Sequence, residues 1–300
     1  MKLKKTLALG LVAAMAASFT ACGSTAAESA ADSTASGEAA AEAAADAPDG
    51  DGDPTTLTVA MECAYAPYNW TQSDDSNGAV PIKDSSDYAN GYDIMMAKKI
   101  CEANGWKLEV VRLDWDSLVP AVQTGKVDAV IAGQSMTEER MQQVDFAGPY
   151  LYASIVCMAK QNSKYANATS LADLAGAKCT SQLGTIWYTT CLPQINGALI
   201  QTAQETAPSM LMALETGAVD FICTDMPTAQ GALIAYSDLK ILNLPDDAFK
   251  VDEGDINIGI SVKKGNTELK GKINSALAGM TADDFNKIMN EATKIQPLSK

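Results

Sequence analysis

The chain has no histidine among its 300 residues, and that absence removes several chemistries at once. Triads built on histidine, HExxH zinc sites and an imidazole general base are all excluded. No CxxC pair occurs among the seven cysteines, which argues against a thioredoxin-like redox motif and a zinc site of the usual spacing. Nor does any apolar run reach the ~20 residues that a membrane-spanning helix needs. Basic residues are scarce too: 22 Lys and Arg stand against 37 Asp and Glu, for a formal net charge of −15. Such a chain has no cationic patch to replace counterions on a phosphate backbone, so nucleic acid is not an expected partner. Cationic or neutral solutes fit it slightly better.

What is present begins at the N-terminus. Lys2, Lys4 and Lys5 precede the apolar stretch 7–19, which closes on the small residues Thr20 and Ala21. This is the pattern of a signal peptide over 1–21. The run Phe19-Thr20-Ala21-Cys22 resembles the lipobox of bacterial lipoproteins, with Phe in place of the usual Leu, and implies lipidation of Cys22. Residues 22–56 consist almost wholly of Ala, Ser, Thr, Gly, Asp and Glu and lack the apolar bulk to fold, so they are expected to be a disordered tether. The implied location is extracytoplasmic, at the cell membrane by a lipid anchor.

Loss of the leader would take three lysines and move the charge from −15 to −18; the eight acids of the tether then leave −10 on 57–300. That remainder is long enough for two modest domains. Six further cysteines stand at 63, 101, 157, 179, 191 and 223. An exported protein could pair some of them, but Cys101, Cys157 and Cys223 lie in apolar runs, where Cys packs as a small hydrophobe, and buried thiols are the favoured expectation.

From 57 onward short apolar strands alternate with helices, as a doubly wound α/β protein requires. Strands are expected at 57–61, 108–113 and 127–132, with helices at 94–104 and 117–124, the latter stopped by Gly125. A second series places strands at 154–159, 178–182 and 219–224 and a helix at 208–216 stopped by Gly217. A strand at 256–262 and helices at 268–280 and 283–294 close the chain. The two series echo each other: 121–133 and 213–225 both read as helix, Thr-Gly stop, then Val-Asp opening a buried strand. Chance recurrence of helix-turn-strand chemistry is the competing explanation. If the echo is real, Gly133 and Asp225 mark equivalent strand ends, where ligands bind in open α/β sheets.

Over essentially all of 57–300 the residues resemble the polar amino acid solute-binding proteins of ABC importers, the family 3 extracellular solute-binding proteins with the type II periplasmic-binding-protein fold. The motifs that carry the resemblance are Ala64-Tyr65-Ala-Pro67-Tyr68-Asn-Trp70, Gly91-Tyr-Asp93, Asp114-Trp115 through Asp128, Ala132-Gly133-Gln-Ser135-Met-Thr137-Glu-Glu-Arg140, Val144-Asp-Phe146, Pro149-Tyr150, Gln182-Leu-Gly184-Thr185 and Thr224-Asp225. It implies two lobes, each a sheet flanked by helices: a large one from 57–150 plus 255–300 and a small one from 151–254. A two-strand hinge near 151–156 and 256–261 would join them.

The resemblance also implies a pocket for a zwitterion. Arg140 would grip a carboxylate with two parallel hydrogen bonds, which Lys cannot do. Thr137 would cap the short helix bearing it, so that backbone N–H groups add to the anion site. Thr185, with the amide of Gly184, would complete the clamp. Asp225 would take the ammonium, helped by oxygens near Gly133 and Ser135. Tyr65 and Trp115 match positions of aromatic rings beside the ligand side chain, and Glu62 and Gln182 lie at its far end, leaning towards arginine, lysine or glutamine. No cofactor and no metal is implied. The expected partners are a free amino acid and the permease subunits of an ABC importer, for a monomer without enzymatic activity. An exported prephenate-type dehydratase and a ligand-sensing receptor component are the alternatives. The segment 72–90 is longer than the family usually needs, and its Asp, Ser and Asn content suggests a surface flap or a partner contact.

Overall fold

A computed structural model describes residues 53–297. The signal peptide 1–21, Cys22 and nearly all of the tether lie outside the described residues. Thr56–Met61 (β1) is the first strand, followed by the short strands Ala64–Tyr65 (β2), Asn69–Gln72 (β3), Val80–Pro81 (β4) and Tyr88–Asn90 (β5). Then come helix Tyr92–Asn104 (α1), strand Lys107–Arg112 (β6), helix Leu118–Gln123 (α2), strand Ala129–Ser135 (β7), helix Glu138–Gln143 (α3) and strand Asp145–Tyr152 (β8). Strands Ile155–Lys160 (β9), Lys178–Thr180 (β10) and Leu199–Ile200 (β11) lead to helix Ala207–Glu215 (α4), strand Phe221–Asp225 (β12), helix Met226–Ala235 (α5) and strand Leu239–Ile241 (β13). Helix Glu253–Ile256 (α6), strand Asn257–Val262 (β14), helix Thr267–Leu277 (α7) and helix Ala282–Ile295 (α8) complete the order.

Two five-stranded sheets result, in the orders β6-β1-β7-β14-β8 and β11-β10-β12-β9-β13. They share one plan. In each, three parallel strands meet an antiparallel fourth, and the central strand is one of the echoed pair, β7 or β12. The echo extends to the turns, since Gly125 and Gly217 both lie in the left-handed region, at φ 72 and 74. Only a residue without Cβ enters that conformation freely, which lets the helix stop and the next strand begin within a few residues.

The central strands read clearly in the sequence because both faces are covered: Val59, Ala60, Val130, Ile131, Phe221 and Ile222 are wholly buried. Such sheets give near-continuous apolar runs, and full burial of each Val, Ile or Phe contributes about 1.5–3 kcal/mol. Strand β7 starts two residues later than expected, because the Asp128 carboxylate accepts from the Thr58 amide at 2.7 Å and ties 127–128 into a turn. It also runs three residues further, carrying Gly133 and Ser135 within the sheet.

The chain leaves the first sheet at Tyr152 and enters the second at Ile155, and it returns through β14. The two crossings are tied side by side, with the Ala153 amide donating to the Ile256 carbonyl at 2.8 Å. Segment 72–90 is structured: its strands β4 and β5 join β2 and β3 in an antiparallel sheet of their own. The Gln72 amide holds its bend, donating to the carbonyls of Asp74 and Ser76, each at 3.0 Å.

Candidate functional site

At the carboxyl end of β7 the backbone turns left-handed at Gly133, φ 64, and Tyr65 lies directly on it. A Cβ at Gly133 would sit 3.0 Å from Tyr65 Cε1 and 3.1 Å from Tyr68 Cδ1, so glycine is needed for this approach. The Tyr65 ring stacks on Tyr68 with centroids 4.6 Å apart. Its hydroxyl donates to Asp225 Oδ2 at 2.5 Å, joining the first sheet's side of the molecule to the end of β12 in the second.

Asp225 is wholly buried and caps α5, accepting from the Thr228 amide and the Thr228 hydroxyl, each at 2.9 Å. The Asp225 expected to take an ammonium already serves a helix cap and a phenol with its oxygens. Burial pushes its carboxyl above the ordinary range, against the opposing pull of Tyr65 and Thr228.

Arg140 sits one turn into α3, whose N-cap Thr137 accepts the Arg140 amide at 3.2 Å. Its guanidinium donates to the Ser135 carbonyl at 2.9 Å and, across to the other side of the cleft, to the Gly184 carbonyl at 2.8 Å. The same group lies 5.5 Å from the centroid of the Trp115 ring, a cation-π distance. Burial lowers its pKa to about 10, which leaves it protonated at neutral pH. Gly184 also needs its missing side chain: φ is 66, and a Cβ would meet Trp115 Nε1 at 2.9 Å. The Thr185 hydroxyl donates to the Gln182 carbonyl at 2.7 Å, closing the turn that presents Gly184.

Glu62 lies at the far end, buried, and accepts from Gln182 Nε2 at 3.1 Å. Burial raises its pKa to about 7; Gln182 pulls the other way, and the nearby Asp114 and Asp116 add to the rise. Gln182 shares its amide with the Glu205 carbonyl at 3.3 Å.

Of the ten residues singled out in the sequence, six line one cavity, Thr137 and Glu62 line a groove on either side of it, and Gln182 and Asp225 stand behind, hydrogen-bonded to Glu62 and Tyr65. Tyr65, Trp115, Gly133, Ser135, Arg140 and Thr185 line a central cavity of about 10 Å³. A groove of about 1000 Å³ opens from the Thr137 and Arg140 side, and one of about 740 Å³ from the Glu62 side. Glu62 and Gln182 form one bond across the cleft, Tyr65 and Asp225 a second, and Arg140 and Gly184 a third. Sequence reasoning missed Trp187, which also lines the central cavity from a wide helical turn at Trp187–Cys191. It did not draw out the charged company of Glu62: Asp114 and Asp116, which stand in a motif already quoted, line the same groove with Glu205 and the base Arg112.

Two sheets joined by paired crossings, with a cleft between the carboxyl ends of their central strands, define a two-lobed binding protein of the type II periplasmic-binding-protein fold. The family model for bacterial extracellular solute-binding proteins, family 3, matches residues 57–293, and the chain belongs to that family. Among similar proteins, a probable histidine-binding protein of Campylobacter jejuni is 31% identical over 187 residues, covering 62% of this chain and 66% of that protein. The L-cystine-binding protein TcyJ of Escherichia coli is 25% identical over 236 residues, 79% of this chain and 81% of that one. The amino acid ABC transporter substrate-binding protein AbpA of Streptococcus pneumoniae, solved bound to L-arginine, superposes with a TM-score of 0.67 at 26% identity. That match covers 80% of this chain and 95% of AbpA. Among the described residues no helix is long and apolar enough to cross a membrane.

Proposed function

We propose that this extracytoplasmic solute-binding protein captures an amino acid with a basic or polar side chain and hands it to the permease subunits of an ABC importer. The observation that carries the reading is a cation lining a small cavity with an anion one hydrogen bond behind its wall. Arg140 lines it, and Tyr65, which lines it too, is hydrogen-bonded to Asp225. A zwitterion offers the complement to both. Its carboxylate would exchange the two carbonyl partners of Arg140 for a bidentate charged contact, of a kind contributing about 1.5–3 kcal/mol per bond. Its ammonium would share Asp225 with the Tyr65 hydroxyl, near the oxygens of Gly133 and Ser135. Thr137 and Thr185 support the carboxylate end, and Trp115 flanks the side chain.

Glu62 sets the preference for a basic side chain. A buried carboxyl repelled by Asp114 and Asp116, in a groove that Glu205 and Arg112 also line, gains most from a guanidinium or ammonium, because such a group offsets both its desolvation and the repulsion of its neighbours. Gln182 would orient that end or read an amide in its place.

In this reading 57–150 with 255–300 is one lobe and 151–254 the other, moving about the crossings at 151–156 and 256–261. Each lobe brings part of the charge pair, so only the closed form satisfies both ends of the ligand. The protein acts as a monomer without catalytic activity, held at the membrane by lipid on Cys22 at the end of its tether.

The test is thermal melting of protein that has been unfolded and refolded to strip bound ligand, against the twenty amino acids, ornithine and cystine, with Arg140→Ala as control. Ligand at 100 times its dissociation constant adds about 2.7 kcal/mol, a rise of several degrees for a chain of this size. A shift with one or two amino acids that the control loses supports the reading. Absence of any shift overturns it.

A further inference from the structure

The Gly91-Tyr92-Asp93 motif opens α1 behind the cleft and lines none of its grooves, yet it is built with care. Gly91 has φ 128, and a Cβ there would fall 2.3 Å from the Tyr68 carbonyl oxygen, so the helix can start against that loop only without a side chain. The Tyr92 ring stacks on Tyr150 at 5.6 Å and its hydroxyl donates to the Tyr150 carbonyl. Asp93 is wholly buried. Its Oδ1 accepts from the Tyr150 hydroxyl at 2.6 Å and its Oδ2 from Asn69 Nδ2 at 2.7 Å.

Each arm continues to one strand end. Tyr150 Oη accepts from the Gly133 amide at 3.0 Å, and Asn69 Oδ1 accepts from the Cys63 amide at 2.7 Å. Cys63 and Gly133 follow β1 and lie in β7, which are neighbours in the first sheet, and both are left-handed, at φ 55 and 64. For Cys63 that conformation is unfavourable without help. Glu62 precedes one turn, Tyr65 follows it by two residues, and the other turn is the floor of the cavity.

We propose that Asp93 is a positioning residue, a clamp whose ionised carboxylate fixes the Cys63 and Gly133 turns through Asn69 and Tyr150, and so sets the two strand ends that form the cleft. The direction of the bonds favours the charge. Backbone amides can only donate, so Asn69 must present its oxygen to Cys63 and its nitrogen to Asp93, and Tyr150 must accept from Gly133 and donate to Asp93. Both chains deliver a proton to Asp93, and a carboxylate accepts strongly at both oxygens. A proton on either oxygen leaves that arm a poorer acceptor and adds a donor with no acceptor facing it. Burial raises the carboxyl to about 7 while Tyr150 and Asn69 hold it down, so the clamp tightens as pH rises through neutrality. The ionisable groups facing it are the phenols of Tyr68, Tyr92 and Tyr150 and the Cys63 thiol, all pushed up by burial, so they stay neutral across this range. The effect on ligand rests on the reading of the cleft as an amino acid site; the clamp itself does not.

Amide hydrogen exchange on the whole protein, followed residue by residue, tests it. Tyr150→Phe should cut the protection factor of the Gly133 amide at least tenfold and spare Cys63; Asn69→Ala should do the reverse. Asp93→Asn can satisfy only one arm, and should remove the pH dependence that both amides show in the parent between pH 5.5 and 8. Protection lost evenly along β1 and β7, or unchanged at both amides, overturns the clamp, and the Tyr150 and Asn69 variants decide it alone if Asp93→Asn does not fold. Calorimetry with L-arginine runs beside this. Asp93→Asn should weaken binding about tenfold with Glu62 unchanged. If the parent binds no amino acid while the amides respond as stated, the amino acid reading falls and the clamp stands.

Discussion

The hydroxyl of Tyr65 and the carboxylate of Asp225 meet at 2.5 Å, and this one bond spans the cleft from the last residue of β2 to the last residue of β12. Asp225 is thereby a helix cap, an interlobe contact and the proposed site for the ligand ammonium. Tyr65 competes with that ammonium for one oxygen. Tyr65→Phe is therefore expected to tighten amino acid binding by up to about tenfold, while Asp225→Ala costs about 1–2 kcal/mol in stability for the lost cap and abolishes binding. Calorimetry and denaturant unfolding read the two effects separately. A loss of affinity in Tyr65→Phe would show instead that the hydroxyl itself holds the ligand.

Arg140→Lys keeps the charge but not the fork. Its guanidinium reaches Ser135 and Gly184 through two different nitrogens, a geometry that one ammonium cannot reproduce. Binding should weaken by about 100-fold, with a melting temperature in the absence of ligand within a degree or two of the parent. An affinity within threefold of the parent would take the carboxylate clamp away from this residue.

Glu62 makes the affinity for a cation depend on pH. Its folded pKa of about 7 lies above the ordinary carboxylate value, so without ligand the protein takes up a proton there on folding. Stability from this group is full at low pH and declines as pH rises from about 4.5 to 7. A bound guanidinium favours the carboxylate and lowers that pKa, so binding releases the proton below neutrality. The affinity for L-arginine should rise by up to tenfold per pH unit from about 5 to 7 and then level off. Citrulline, neutral at the same position, should keep only the smaller dependence that Asp93 imposes on any amino acid, and Glu62→Gln should reduce the arginine profile to that of citrulline. Parallel profiles for arginine and citrulline would place the side chain elsewhere.

The cysteines give a count. Cys63, Cys101, Cys157, Cys179, Cys191 and Cys223 are all free and buried. Burial pushes the thiols of Cys63, Cys101 and Cys179 up to about 12, so few thiolates are available to react. A thiol reagent should label none of the six in the native protein and all six after unfolding. Cys22 adds a seventh in a chain whose leader has been retained, and none where lipid occupies its sulfur. Fewer than six in the unfolded state would reveal a disulfide.

What could be read from the sequence divides by range. Strands β1, β6, β7, β12 and β14 and helices α1, α2, α4, α7 and α8 announced themselves because their apolar spacing and their glycine stops are local. Strands β2 to β5 did not, since runs of two to four residues are too short to show a period. Helix α5 was hidden by Pro227, which reads as a turn after Asp225 but occupies the first turn of the helix, where its missing N–H costs nothing. Arg140 and its cap Thr137 were legible as a helix start. The role of Asp93 was not, because its partners stand at 69 and 150 and only the fold brings them together.

Strand β14 lies between β7 and β8 although about a hundred residues separate it from either in the chain. The second sheet is assembled from one continuous stretch, 155–241, whereas the first cannot close until 257–262 arrives. In a chain that emerges N-terminus first, the later part can complete its sheet while the earlier part still waits with β7 unpaired on one side. Its unfilled edge is the surface that a holding chaperone would cover, and truncation before residue 257 should leave a folded second sheet attached to a first in which β7 and β8 have no strand between them.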